Sequence, residues 1–294
     1  IYNATDFNTY SKALVTPDNS ILCLQTNKYY FHGLTKFTPQ GNVIFSYGYT
    51  APYIANSYHA WTELYFTDMA VTSDSYCYIS GSVTKHGLFF DNTEVPPPRT
   101  AAVIIKIDKY GKVLWSRFFA NANTDPLEFS NIITLKNGDV VGYLTTQVGY
   151  PYYGRIVCLT PDGIVRWVTI LNSGIYSSGS MGYPKRSLLQ IKNNNIVIAD
   201  IVTHSDTVYA NGEYHFLSLN SSNGTIEWET SYAYNDLLFL PNITSSLELP
   251  NGDLSVQTTT NIATTGDPAG VTKELNIITD SKGNIRKMVA THPA

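Results

Sequence analysis

Ile105–Phe119 reads IKIDKYGKVLWSRFF. An apolar run alternating with polar residues meets a polar corner at Tyr110-Gly111, and a second run carrying Trp115 follows. Alternation on both sides of a glycine corner specifies two antiparallel strands joined tightly. The same device recurs at 34–45 (LTKFTPQGNVIF), 156–167 (IVCLTPDGIVRW), 216–228 (FLSLNSSNGTIEW) and 275–288 (LNIITDSKGNIRKM). A lone hairpin cannot bury an apolar face, so five copies predict units that stack on one another.

Each of these hairpins follows a second corner, at Thr16-Pro17-Asp18-Asn19, Thr72-Ser73-Asp74-Ser75, Lys136-Asn137-Gly138-Asp139, Lys192-Asn193-Asn194-Asn195 and Pro250-Asn251-Gly252-Asp253. From Asn19 through Ser75, Asn137 and Asn194 to Asn251 the steps are 56, 62, 57 and 57 residues. Asn, Asp and Gly supply the backbone conformations such corners need. Four strands repeated at this period predict an all-β fold, a five-bladed β-propeller of four-stranded antiparallel blades. The expected blades are about 10–49, 64–120, 128–171, 186–232 and 240–290, in one domain covering 1–294. Strand one opens the chain and strand four nearly closes it. Closure is therefore expected to rest on side-chain packing, or the chain is a piece of a larger array.

Composition narrows the function. The 14% of charged residues is well below the usual quarter, and 22 tyrosines with many Asn, Ser and Thr supply polar surface instead. Net charge is -4 with scattered basic residues, which argues against nucleic acid as a partner. No run of 18 apolar residues exists, so direct membrane insertion by a helix is not expected. This balance suits a secreted or cell-surface protein. Cys23, Cys77 and Cys158 lack metal-ligand spacing and are read as buried thiols.

The fourth strands carry Phe45, Trp115, Trp167, Trp228 and, in the last unit, Met288. They follow the corner glycines Gly41, Gly111, Gly163, Gly224 and Gly283. Recurrence at one repeat position marks these residues as packing elements between neighbouring blades. The runs KIDKYGKVLW, CLTPDGIVRW and SLNSSNGTIEW resemble the tryptophan-bearing repeat of quinoprotein-like (PQQ-like) β-propellers, of the kind found in secreted or surface proteins of Bacteroidota. The resemblance implies a blade type. Quinone enzymes of that family resemble larger eight-bladed rings with adjacent cysteines; this chain has no such pair, and no cofactor is expected.

Topology places the short corners on one face and the long connections on the other. The long stretches are 27–32, 85–99, 147–154, 203–213 and 261–272, together with crossings such as 50–63. They are rich in aromatics, among them Tyr53, Trp61, Tyr150, Tyr152, Tyr153 and Tyr176. Rings with polar handles suit a sugar or a protein surface. The expected function is a non-catalytic binding module, presenting this face to a protein or glycan as part of a larger surface assembly. The alternative is a propeller enzyme: a glycoside hydrolase using acids such as Asp68, Glu128 and Asp236, or a quinoprotein oxidoreductase. Asp200, His204 and His215, with Asp206, form the alternative metal or proton-transfer set.

Overall fold

The computed structural model describes residues 9–26, 32–49, 61–86, 100–119, 127–146, 153–174, 186–203, 212–234, 242–264 and 267–291. They form twenty strands in five four-stranded antiparallel sheets, the architecture of a five-bladed β-propeller. Blade one holds β1 (Thr9–Val15), β2 (Ile21–Thr26), β3 (His32–Phe37) and β4 (Val43–Tyr49). Blade two holds β5 (Trp61–Val71), β6 (Cys77–His86), β7 (Thr100–Ile107) and β8 (Val113–Phe119). Blade three holds β9 (Leu127–Thr134), β10 (Val140–Thr146), β11 (Tyr153–Leu159) and β12 (Val165–Gly174). Blade four holds β13 (Ser187–Gln190), β14 (Ile196–Thr203), β15 (Gly212–Leu219) and β16 (Ile226–Tyr234). Blade five holds β17 (Asn242–Glu248), β18 (Leu254–Thr264), β19 (Asp267–Thr279) and β20 (Ile285–Thr291). Strand order within every sheet follows the chain, so no strand is exchanged between blades.

Nine of the ten short corners share one geometry, and the tenth, Asn220–Thr225, is one residue longer. At Thr160–Ile164, for example, Thr160 N–H donates to Ile164 O and Gly163 N–H donates to Thr160 O, both at 2.8 Å. Each corner carries one residue of positive φ, as a hairpin corner with a left-handed third residue requires. In the strand-one corners this residue is Asn19, Ser75, Gly138, Asn194 or Gly252; in the strand-three corners it is always glycine.

Neighbouring blades explain that restriction. A Cβ on Gly163 would lie 3.1 Å from the Trp115 ring, and one on Gly224 would lie 2.5 Å from Trp167. The fourth-strand ring of one blade thus lies under the corner of the next. Trp115 Nε1 donates to Pro161 O at 3.0 Å, and Trp167 Nε1 donates to Ser221 O at 3.0 Å. Two residues further on, Arg117 Nε donates to Gly163 O at 2.8 Å and Thr169 Oγ1 to Gly224 O at 2.6 Å. Blade one substitutes a stacked pair, Phe45 on Tyr47 at 5.1 Å, beneath Gly111.

Three strand expectations are corrected. Phe45, Trp115, Trp167 and Trp228 each stand four residues after the corner glycine, and that count from Gly283 reaches Lys287. Lys287 pairs with Ile278 as Trp115 pairs with Lys106. Met288 therefore lies on the opposite face and is 46% exposed, because one step along a strand reverses the side-chain direction. In addition, most of 261–272 is strand rather than loop: Asn261 pairs with Thr272 and Ile262 with Val271. Trp61 likewise belongs to a strand, paired with His86.

The chain divides into two compact units, Ile1–Val148 with Val157–Arg166, and Gly149–Ile156 with Trp167–Ala294. The expectation of one domain thus stands beside a division that passes through blade three. In the first unit Leu24, Leu34, Phe66, Met69 and Ile79 pack between blades one and two, and Ala70, Tyr78, Phe129 and Leu159 between blades two and three. In the second unit Ala199, Ile201, Tyr214 and Phe216 pack against Ile243, Val256 and Ile277 of blade five. First strands neighbour one another, β1 with β5 and β5 with β9 in one unit, and β13 with β17 in the other. Fourth strands form the outer edges, where Val113, Val165 and Ile226 are exposed.

Candidate functional site

Antiparallel pairing puts the start of each first and third strand at the end of the blade away from the short corners. Trp61 opens β5 and Tyr153 opens β11, so both stand at that end. Tyr53, Tyr150, Tyr152, Tyr176, His204, Asp206 and Asp236 lie outside the described residues. Glu128, the second residue of β9, is half-buried at the same end, and its carbonyl accepts from Thr145 Oγ1.

His32 opens β3 and is buried there, with Tyr65 and Phe66 edge-on to its ring. Its Nδ1 accepts the Phe66 N–H at 3.1 Å, which requires an unprotonated nitrogen. Burial lowers its pKa to about 4. A neutral imidazole here is a tie between blades one and two.

Asp68, a candidate acid from the sequence, lies on a first strand, but its carboxylate is committed. Oδ1 accepts Met69 N–H and contacts Lys12 Nζ, while Oδ2 accepts Ile132 N–H at 2.9 Å. Lys12, Asp68 and Ile132 belong to the first strands of blades one, two and three. Asp68 therefore clamps three blades together, and its oxygens are saturated by groups of the protein.

Among the described residues, blade four carries a charged row whose second-strand position is uncharged in the other blades. Ser187 pairs with Ala199, which sets Arg186 opposite Asp200; Asp200 pairs with His215, and His215 with Ser231, one pleat from Glu229. Arg186 Nε donates to Asp200 Oδ1 at 2.8 Å, and Ile201 N–H donates to the same oxygen at 2.8 Å. His215 Nε2 meets Glu229 Oε1 at 2.7 Å. The equivalent second-strand positions elsewhere, counted from the corner, are Gln25, Gly81, Leu144 and Thr258. Arg186, Asp200 and His215 are buried and Glu229 is half-exposed.

The sequence pairing of Asp200 with His215 is thus met in register, yet their chemistry runs elsewhere. Asp200 neutralises Arg186, and His215 is tied to the outer strand through Glu229. Arg186 and Glu229 had no local signal, because only the register brings residues 186, 200 and 215 into one row with Glu229 two residues along the neighbouring strand. Among the described residues no group of three His, Cys, Asp or Glu is arranged to hold a metal ion. Cys23, Cys77 and Cys158 are buried free thiols in separate strands, so they do not fit the paired cysteines of a quinone site. Burial pushes the Cys158 thiol up to about 12, which removes it as a nucleophile.

No protein-family model matches the chain, and no curated protein matches it. Solved structures do. The intramolecular trans-sialidase from Ruminococcus gnavus aligns with a TM-score of 0.57 at 8% identity, over 99% of this chain and 86% of that one. The NanB sialidase from Streptococcus pneumoniae aligns at 0.48 and 11% identity, over 99% and 46%. The endo-arabinase from Bacteroides thetaiotaomicron VPI-5482 aligns at 0.43 and 13% identity, over 93% and 96%.

The first of these shares the fold across nearly the whole chain, and it is an enzyme. That finding corrects the expectation of a non-catalytic binding module, and with it the reading of the chain as a non-enzyme. Strand repeats describe a scaffold, and a scaffold alone is silent on catalysis.

Proposed function

We propose that this chain is a carbohydrate-active enzyme that cleaves or transfers glycosidic bonds at the long-connection face of its blades. One observation carries the reading: the fold is shared along 99% of the chain with an intramolecular trans-sialidase. Trp61 and Tyr153 open strands at that end of their blades, and aromatic residue types are ones on which sugar rings stack. A glycan is accordingly the substrate class, and a secreted or surface location is our reading of the composition. The tryptophan-bearing corner remains our basis for a quinoprotein-like blade type.

Glycosidic cleavage commonly needs one carboxyl group to protonate the leaving oxygen and a second group to act on the opposite side. Asp68 and Asp200 are taken up by ion pairs and backbone donors inside the blades. Glu128 is the first-strand acid of the three proposed that stands at the correct end and within the described residues. We assign it the role of acid or base. The test is turnover on a panel of defined glycosides, including α-sialosides and α-arabinans, read as released sugar. Glu128→Gln should lower the rate on the cleaved substrate by about 100-fold or more. Absence of turnover on every linkage in the panel refutes the enzyme reading; full activity of Glu128→Gln refutes only the assignment.

A further inference from the structure

Four first strands carry a β-bulge at one repeat position: Ser11 in β1, Thr67 in β5, Ser130 in β9 and Thr244 in β17. Bulges leave one residue out of the ladder and redirect its side chain. All four are hydroxyl residues, and three of them are satisfied by the protein. Ser11 Oγ donates to Leu24 O at 3.4 Å, Thr244 Oγ1 to Gln257 O at 3.2 Å, and Thr67 Oγ1 to Phe129 O.

Ser130 departs from this pattern. Its Oγ is buried without a hydrogen-bond partner, and so is Oδ1 of the next residue, Asn131. The backbone on both sides of this pair is tied to blade two, through Phe129 O to Thr67 Oγ1 and through Ile132 N–H to Asp68 Oδ2. The bulge is therefore flanked by fixed bonds while two buried polar atoms of its residues remain unmet. Such atoms are costly to bury unless something bonds to them. One donor-acceptor molecule placed between them would satisfy both, donating to Asn131 Oδ1 and exchanging a hydrogen bond with Ser130 Oγ.

We infer that the bulge of β9 is a binding site for one internal water molecule, which joins Ser130 to Asn131 where blade three meets the clamp on blade two. The other three bulges are expected to bind no such water, since their hydroxyls already reach protein groups. The inference is independent of the proposed glycan chemistry.

The experiment is a crystal structure of the whole chain at a resolution that shows ordered solvent, alongside the same structure of Ser130→Ala. The expected result is a density peak within about 3 Å of both Ser130 Oγ and Asn131 Oδ1, lost or displaced in the variant. A Ser130 hydroxyl rotated onto a protein carbonyl, with no peak beside it, overturns the inference. If Ser130→Ala fails to fold, the wild-type protein decides the matter through water cross-relaxation. Transfer from long-lived water to the Ser130 and Asn131 amides supports the site, and its absence refutes it.

Discussion

The Trp167 indole N–H donates to the Ser221 carbonyl at 3.0 Å while its ring lies under Gly224, so one side chain joins the outer strand of blade three to the corner of blade four. Trp115 and Gly163 repeat this relationship one blade earlier. The repeat unit is thus a ring from one blade and a glycine corner from the next.

Trp167→Ala should lower stability by about 3–5 kcal/mol, the usual cost of truncating a packed aromatic. Trp167→Phe keeps much of the ring and loses the N–H, so about 1 kcal/mol is expected. Urea melts of both variants measure the two contributions. A loss below 1 kcal/mol in the alanine variant contradicts the packing role.

Gly224→Ala and Gly252→Ala separate two requirements on a corner glycine. Both residues have positive φ, which disfavours alanine by about 1–2 kcal/mol. At Gly252 a Cβ meets nothing within 4 Å, whereas at Gly224 it meets Trp167 at 2.5 Å. Gly224→Ala should be the more damaging by at least a further 1 kcal/mol, the lower end of overpacking costs. Equal thermal shifts in the two variants would show that backbone strain alone selects glycine.

Asp200→Ala removes the partner of a buried guanidinium and is expected to cost about 3–5 kcal/mol. The double variant Arg186→Met, Asp200→Leu removes both charges and should recover most of that loss. A double variant no more stable than Asp200→Ala would refute charge burial as the cause.

His32 gives the protein an acid-sensitive element. Its folded pKa of about 4 lies below the ordinary histidine value of about 6.5, so between these values the unfolded chain binds the extra proton. Its neutral form is compatible with the fold above pH 6.5, and stability falls as pH drops from there towards 4. The loss approaches about 3 kcal/mol at the lower end of the window. Chemical melts across this range should show a shallower pH dependence in His32→Phe than in wild type. Parallel profiles would mean that His32 is not the sensing group.

Much of the fold was legible because a corner is a local event. Asn19, Gly163 and Gly283 announce their conformations by residue type, and alternation on either side names the strands. The error at Met288 has a local cause too: an apolar residue one step from Lys287 drew the repeat out of phase. The 261–272 stretch was misread because threonine and asparagine suit loops, while pairing such as Asn261 with Thr272 is a property of two strands together. The polar residues were harder still. Asp68 reads as a candidate acid until Lys12, Met69 and Ile132 are seen to occupy its oxygens.

From its sequence alone this protein specified corners, strands, their order and a five-fold repeat, since each depends on residues a few positions apart. Tertiary structure decided which charges are spent on holding blades together, that Arg186 and Glu229 extend the Asp200–His215 row, and that the fold is shared with an enzyme. The charged row depends on register within one blade, where Arg186 meets Asp200 14 positions away, and the clamps depend on packing between blades, where Lys12 meets Asp68 56 positions away; no short pattern records either encounter.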